Sequence, residues 1–187
     1  MYLLTPPITE PVTIYEAAIA ARLSAGDALE PMLAGLISSA RQMAEQETGL
    51  QIMQQTWRVE LECWPYLDQV LHVHRATACA ITYWDGAGWA LLAGGAYSFY
   101  PLNGGTGVAP MVGVSWPTLG AVAGGPRVRI DLTAGKTDRA AVPECIKTYI
   151  KALVAHWVNN PEASTARALT ENPYLSSMLD PVRVWGG

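Results

Sequence analysis

The sequence predicts an α+β fold, in which helices from both chain ends form an α-helical bundle and an antiparallel β-sheet is inserted between them. Three observations support this prediction. Apolar residues recur every three or four positions before residue 50 and after residue 143, the period of an amphipathic helix. Between residues 51 and 133 they alternate with polar residues, the period of a strand. No helical segment separates these strands, which argues against parallel crossovers.

The N-terminal part of the bundle, residues 1–50, is predicted to hold two helices. Thr13 and Glu16 have the spacing of a capping box before the first helix. Asp27 and Glu30 repeat that spacing before the second, and Gly49 is expected to stop it. The second helix carries one apolar stripe, made of Leu29, Met32, Leu33, Leu36, Ile37, Ala40, Met43 and Ala44.

The β-insert, residues 51–133, is predicted to hold six or seven short strands. The two clearest are "QTWRVELECW" and "PRVRIDLTAG", where apolar and charged residues alternate. The other candidates are "VLHVHR", "ACAITYW", "WALL", "AYSFY" and "VGVSW". Asp85-Gly86 is a hairpin signal. The glycine clusters "AGGA", "LNGGTG" and "AVAGGP" are predicted to form long turns and loops.

The C-terminal part of the bundle, residues 134–180, is predicted to contain one long helix after Pro143 and one short helical segment. The long helix should end at Asn159-Asn160-Pro161, since a residue before proline avoids the helical region. One of its faces is apolar and comprises Ile146, Tyr149, Ile150, Leu153, Val154 and Trp157. Residues 181–187 are expected to form an extended C-terminal arm.

Composition excludes several classes of protein. The formal net charge is −4 and no run of Lys or Arg occurs, which argues against a protein that grips DNA or RNA tightly. No stretch approaches the roughly 20 apolar residues needed to cross a bilayer, so no membrane partner is expected. The three cysteines lack a C-x-x-C spacing and indicate buried thiols in a reducing compartment.

No catalytic constellation is coherent, and neither a cofactor nor an enzymatic activity is predicted. Gly135-Lys136-Thr137 resembles the end of a phosphate-binding loop, but the first glycine of that motif would fall at Ile130. We therefore interpret it as a turn. His72 and His74 would share one face of a strand and could supply two zinc ligands, but no third ligand has supporting spacing. A His-based metal-dependent enzyme is the weaker alternative.

The ordered set of motifs resembles the head–tail connector (adaptor) proteins of tailed phages, prophages and gene transfer agents. The resemblance spans nearly the whole chain. It is carried by the helix ending in Thr48-Gly49 and followed by Gln55-Thr56-Trp57, by Ser115-Trp116-Pro117, by His156-Trp157 and by the closing "LDPVRVW". Where relatives have an aromatic residue after the Ala-Gly of the turn, this chain has Lys136, so no shared role is assigned to that lysine.

The resemblance implies a virion structural protein without an active site. It implies a homo-oligomeric ring, a dodecamer in most relatives, at the head–tail interface, made in the host cytoplasm. The ring's partners would be the portal protein and a stopper or tail terminator protein. Double-stranded DNA would pass through its lumen without sequence-specific binding. By position, the arm that reaches the portal would be Pro181, Val182, Arg183, Val184 and Trp185. A stopper or tail-completion protein of the same particle is the alternative.

Overall fold

The computed structural model describes residues 1–23, 30–160 and 173–184. It confirms the predicted α+β class, since helices and an antiparallel sheet are both present. The described residues form two compact units. A helical unit takes residues 7–53 and 136–184, and a sheet unit takes residues 1–6 and 54–135. Among the described residues, no helix combines the length and apolar content required to span a bilayer.

The helical unit contains α1 (Ile14–Ala20), α2 (Glu30–Thr48), α3 (Glu144–Asn159) and the short α4 (Pro173–Ser177). The capping box of α1 is confirmed: the Thr13 hydroxyl accepts from the Glu16 N–H, and the Glu16 carboxylate accepts from the Thr13 N–H at 2.7 Å. Gly49 follows α2 at a φ of 71°, a conformation that glycine adopts without strain. The predicted Asp27 cap lies outside the described residues.

The core of the helical unit is built from the predicted stripes. Its fully buried side chains include Leu33, Ile37, Ala40, Ala44, Ile146, Ile150, Leu153, Val154 and Leu179. The apolar faces of α1, α2 and α3 therefore cover one another, as the sequence predicted for helices from the two ends of the chain.

The sheet unit contains a five-stranded antiparallel sheet in the order β1-β2-β7-β3-β4. The strands are β1 (Tyr2–Thr5), β2 (Gln55–Leu61), β3 (Ala78–Trp84), β4 (Trp89–Leu91) and β7 (Val128–Ala134). A separate hairpin pairs β5 (Tyr97–Leu102) with β6 (Gly105–Pro110). Along β7 burial alternates, so Val128, Ile130, Leu132 and Ala134 face the core and the residues between them face outward.

Several predicted elements of the insert differ from the structure. Residues 2–5 form β1, a strand the sequence analysis did not predict. Residues 70–75 make one isolated bridge, Leu71 with Thr106, and residues 112–116 form no strand. The "LNGGTG" cluster forms a turn only at Asn103-Gly104, because Gly105 and Gly107 lie buried in β6. A Cβ on Gly105 would overlap the Leu71 carbonyl, so only glycine allows this close approach.

Candidate functional site

The C-terminal segment 181–184 lies against the helical unit. Val182 packs on the helical core, and the Val184 N–H donates to the Thr48 carbonyl at 2.8 Å. The Arg183 guanidinium donates to the Glu47 carboxylate at 2.9 Å. Pro181 is exposed. An arm directed at a partner was predicted from the resemblance, and in the structure these four residues lie beside the end of α2.

Leu179 is the root of this segment. Its side chain is fully buried in the helical core. Its carbonyl accepts hydrogen bonds from the N–H groups of Val182 and Arg183, both at 3.0 Å. The chain is therefore fixed at Leu179, and the described residues beyond it are half-buried or exposed. Trp185, the fifth predicted arm residue, lies outside the described residues.

A buried tyrosine stands beside the Arg183–Glu47 ion pair. Burial raises the pKa of Tyr149, and the Glu47 carboxylate raises it further, while Arg183 acts in the opposite direction. The tyrosine therefore stays neutral over the physiological range.

The two histidines of the weaker alternative do not form a metal centre in the described part of the chain. His72 is exposed and His74 is half-buried, on either side of the buried Val73. Desolvation, then the charges of His72 and Arg75, lower the pKa of His74. Among the described residues, no group of three or more His, Cys, Asp or Glu side chains is placed to hold a metal ion.

The Gly135-Lys136 segment is a turn. Gly135 has a φ of 99°, and the exposed Lys136 donates its backbone N–H to the Ile52 carbonyl at 2.9 Å. Asp138 caps a short 3₁₀ turn, and α3 begins only at Glu144. A phosphate at Lys136 would have no adjoining helix N-terminus to bind it.

A shallow apolar groove of about 440 Å³ runs between α1 and α3. Its lining consists of Glu16, Ile19, Ala20, Thr148, Lys151, Ala152 and Ala155. Ile19 is 59% exposed, and the nearby Tyr15 is 76% exposed. The capping-box hydrogen bonds from Thr13 keep the pKa of Glu16 below its usual value, so its carboxylate is ionised at neutral pH. The groove offers an apolar contact surface with one charged rim.

The outward face of the five-stranded sheet is neutral, because its charges are paired. Arg58 donates two 2.7 Å hydrogen bonds to Asp131, and Arg129 donates one of 2.8 Å to Glu60. The Asp131 carboxylate also raises the pKa of Arg58. Arg129 stacks on the Trp89 ring, 3.8 Å from its centroid. Such a face favours contact with protein over contact with phosphate.

The Ser115-Trp116-Pro117 segment packs against Trp64 in the sheet unit. The Trp116 ring stacks on Trp64 with centroids 4.6 Å apart, and the Trp64 indole N–H donates to the Pro117 carbonyl at 2.8 Å. This stack fixes the long connection between β6 and β7. The partner of this motif could not be predicted from the sequence, because Trp64 lies far from it along the chain.

The fold is shared with chains of gene transfer agent particles. One such chain, from the structure "Neck of empty GTA particle computed with C6 symmetry", matches with a TM-score of 0.71 at 23% identity, over 100% of this chain and 99% of that chain. Another, from "Neck of native GTA particle computed with C12 symmetry", matches with a TM-score of 0.68 at 22% identity and the same coverage. A third, from "Virion of native gene transfer agent (GTA) particle", matches with a TM-score of 0.67 at 23% identity over 99% of both chains.

Neither a protein family model nor a curated protein matches the chain. The similarity to the three structures extends end to end, so it covers the helical and the sheet parts together. At these identities it establishes a common fold.

Proposed function

We propose that the protein is a structural head–tail adaptor of a phage-like particle. In this role it forms a ring between the portal and the tail or stopper proteins. The observation that carries the proposal is the end-to-end fold similarity to chains of gene transfer agent necks. The described surfaces support a structural role, since they offer contact faces with satisfied charges.

The proposed ring is homo-oligomeric and contains twelve copies. The neck structures that share the fold were computed with C6 and C12 symmetry, which supports a cyclic assembly. In a ring each subunit must present two different surfaces to its neighbours, because the contacts are heterologous. The exposed apolar side chains of α1 and of the sheet edges supply candidate surfaces for such contacts.

The arm Pro181, Val182, Arg183, Val184 and Trp185 is proposed to contact the portal. Beyond the buried root at Leu179, the described arm is held by ion pairs of Arg183 with Glu47 and Asp180, by the packing of the half-buried Val182 and by a few backbone hydrogen bonds. Partly exposed ion pairs contribute only about 0.2–1 kcal/mol. A portal surface can therefore compete for the arm without unfolding the helical core.

Double-stranded DNA is proposed to pass through the ring without sequence-specific binding. Six described basic side chains are paired with acidic ones: Arg41, Arg58, Arg129, Lys147, Lys151 and Arg183. Paired cations have little capacity to replace the counterions of phosphates. In a gel-shift assay at physiological salt, the purified protein should leave duplex DNA unshifted, and a stable complex would contradict this part of the proposal.

Deletion of the gene tests the adaptor role. Particles purified from the deletion strain and imaged by electron microscopy should be DNA-filled heads that lack tails. Expression of the intact gene in trans should restore the tails. Normal tailed particles in the deletion strain would end the proposal.

Cross-linking in intact particles separates an adaptor from a stopper or tail-completion protein. An adaptor should cross-link to the portal protein, whereas a stopper should cross-link to tail components only.

Truncation after Leu179 should leave a folded subunit, as judged by circular dichroism, that no longer binds purified portal. A single Met178→Ala change is the matched control, since Met178 is 36% exposed and lies outside the arm, and this variant should keep portal binding. Unchanged portal binding by the truncated protein would remove the arm from the proposal.

A further inference from the structure

The two edge strands of the five-stranded sheet lack a charged residue and a proline, which are two of the features that protect natural edges from pairing; both strands are short, and the register of β1 is irregular between Leu3 and Thr5. Natural edge strands are blunted by charged residues, especially lysine, by proline or by a cover. β1 reads "YLLT" and β4 reads "WAL", so neither strand contains a charged residue or a proline. Both are edge strands in the described sheet.

The side chains on both edges are apolar and exposed. In β1, Tyr2, Leu3 and Leu4 are 45%, 40% and 39% exposed. In β4, Leu91 is 72% exposed and Trp89 37%. Exposed apolar strands at a sheet edge template pairing with another chain.

The separate hairpin shows that this chain does protect other edges. β5 contains Pro101, and β6 ends at Pro110. The outer side of β6 is occupied by Leu71, which exchanges backbone hydrogen bonds with Thr106 at 2.8 and 2.9 Å. The edge strands of the larger sheet thus lack the prolines that the hairpin strands contain. This difference indicates that β1 and β4 are available to pair with another strand.

The hydrogen-bond pattern shows which backbone groups of β4 face outward. The Leu92 N–H donates to Ile81, and the Asp85 N–H donates to Gly88. Hydrogen-bonded and non-bonded pairs alternate in an antiparallel ladder. Trp89 and Leu91 therefore occupy non-bonded positions, and their N–H and C=O groups point away from β3. These groups form a short open row of donors and acceptors.

The two edges run in the same direction. Every neighbouring pair in the order β1-β2-β7-β3-β4 is antiparallel, so the first and fifth strands are parallel. A cyclic repeat of the sheet would place β4 of one copy beside β1 of the next as a parallel pair. A twofold contact would instead pair β1 with β1, or β4 with β4.

We propose that β1 of one copy pairs with β4 of a second copy of this chain, so that the sheet continues from subunit to subunit. The contact is heterologous, as ring formation requires. It rests on the proposed function for the ring and adds the surfaces that build it. Pro6 and Pro7 limit the pairing to the few residues of β1, so each junction is short and ring closure makes the contacts mutually reinforcing.

Cysteine cross-linking tests the pairing directly. Tyr2, Thr5 and Leu91 lie on the same face of the sheet, because their registered partners Arg58, Thr56 and Thr82 do. In full-length protein with Cys63→Ser, three single variants are made: Tyr2→Cys, Thr5→Cys and Leu91→Cys. Each β1 variant is mixed with the β4 variant and treated with a short bismaleimide.

Cross-linked dimers are expected in at least one of the two mixtures and from no variant alone. Ile8→Cys is the matched control, since Ile8 is 95% exposed and lies outside the strands; it should not cross-link with Leu91→Cys. Dimers from a β1 variant alone, or from Leu91→Cys alone, would show a twofold contact and overturn the proposal. Rings visible by electron microscopy but without β1–β4 cross-links would overturn it too.

A proline substitution tests whether the outward backbone N–H of Leu91 pairs with the neighbouring copy. Leu91→Pro removes an outward N–H and leaves the β3 ladder bonded, whereas Leu91→Ala removes only the side chain. Assembly of Leu91→Pro should fall about tenfold below that of Leu91→Ala at equal concentration, roughly 1.4 kcal/mol. Circular dichroism checks that both variants remain folded. Equal assembly of the two folded variants would refute the proposed backbone hydrogen bonds between β4 of one copy and β1 of the next.

The outcomes distinguish this inference from the proposed function. If the chain is incorporated into tailed particles without β1–β4 cross-links, the inference fails and the adaptor role stands. If purified protein gives the expected cross-links but the chain is absent from particles, the edge contact stands and the adaptor role fails. If the chain neither associates nor enters particles, both fail.

Discussion

Leu179→Ala is the substitution that most directly tests how the C-terminal segment is anchored. Leu179 is fully buried in the helical core, and its carbonyl holds the N–H groups of Val182 and Arg183. The change removes roughly three carbon groups worth about 0.8 kcal/mol each. Incomplete collapse of the cavity adds to this, so the free energy of unfolding should fall by about 3 kcal/mol.

Urea denaturation followed by far-ultraviolet circular dichroism measures this loss. For a chain of this size about 3 kcal/mol corresponds to a melting temperature lower by roughly 6–12 °C. Met178→Ala is the matched control, because Met178 is 36% exposed and its truncation should cost less than about 1 kcal/mol. If the two variants lose the same stability, or Leu179→Ala loses less than about 1 kcal/mol, Leu179 is not the anchor.

Three further predictions address other parts of the chain. Thr13→Ala should lower the free energy of unfolding by about 1 kcal/mol at neutral pH. The pKa of Glu16 is lowered in the fold, so the capping box stabilises the folded state fully at pH values above the ordinary Glu pKa. The difference in free energy of unfolding between Thr13→Ala and wild type should therefore shrink as the pH falls through the pKa that Glu16 has in the folded protein. Gly105→Ala should cost at least about 2 kcal/mol, because its Cβ would overlap backbone; wild-type urea midpoints would contradict this. Burial raises the pKa of Cys79 to about 12, so iodoacetamide at pH about 8 should label the exposed Cys63 before Cys79. Mass spectrometry of the labelled protein measures this order, and equal labelling of the two cysteines would refute the burial of Cys79.

The helical part of the fold was predictable, because its signals are local. The capping box lies within four residues, and the stripes of α2 and α3 recur at helical spacing. A helix with an apolar face has to bury that face, so the pairing of chain ends followed from the pattern alone. Gly49 ended α2 as expected, since its φ of 71° suits glycine.

The antiparallel class of the sheet was predictable from the sequence, whereas the positions of several individual strands were not. β2 and β7 carry clear alternation and were expected, and the further candidate "ACAITYW" forms β3. The segment around His72 also alternates, yet it forms a single bridge, because Leu71 meets only Thr106 of β6. β1 was missed because all four of its residues are exposed, so it lacks the alternation that marks a half-buried strand.

The candidate contact surfaces depend on positions that are far apart in sequence. Nothing near residue 3 shows that it will sit at one edge of a sheet whose other edge is at residue 91. The open edges become visible only when the strand order is known. Likewise, the glycines of β6 indicate a loop by composition, and only the fold shows that Gly105 meets the Leu71 carbonyl and that Gly107 meets the side chains of Leu102 and Tyr100.

The structure reconciles the packed C-terminal segment with a proposed role in partner binding. An arm that must find a portal gains from being held in one place beforehand, since less conformational entropy is then lost on binding. It must also be releasable. Leu179 fixes the start of the segment through its buried side chain, whereas the half-buried Arg183 is held by ion pairs with Glu47 and Asp180, and Val184 by one backbone hydrogen bond to Thr48. Truncation after Leu179 leaves the strong anchor and removes the weakly held arm, which is why it separates folding from binding.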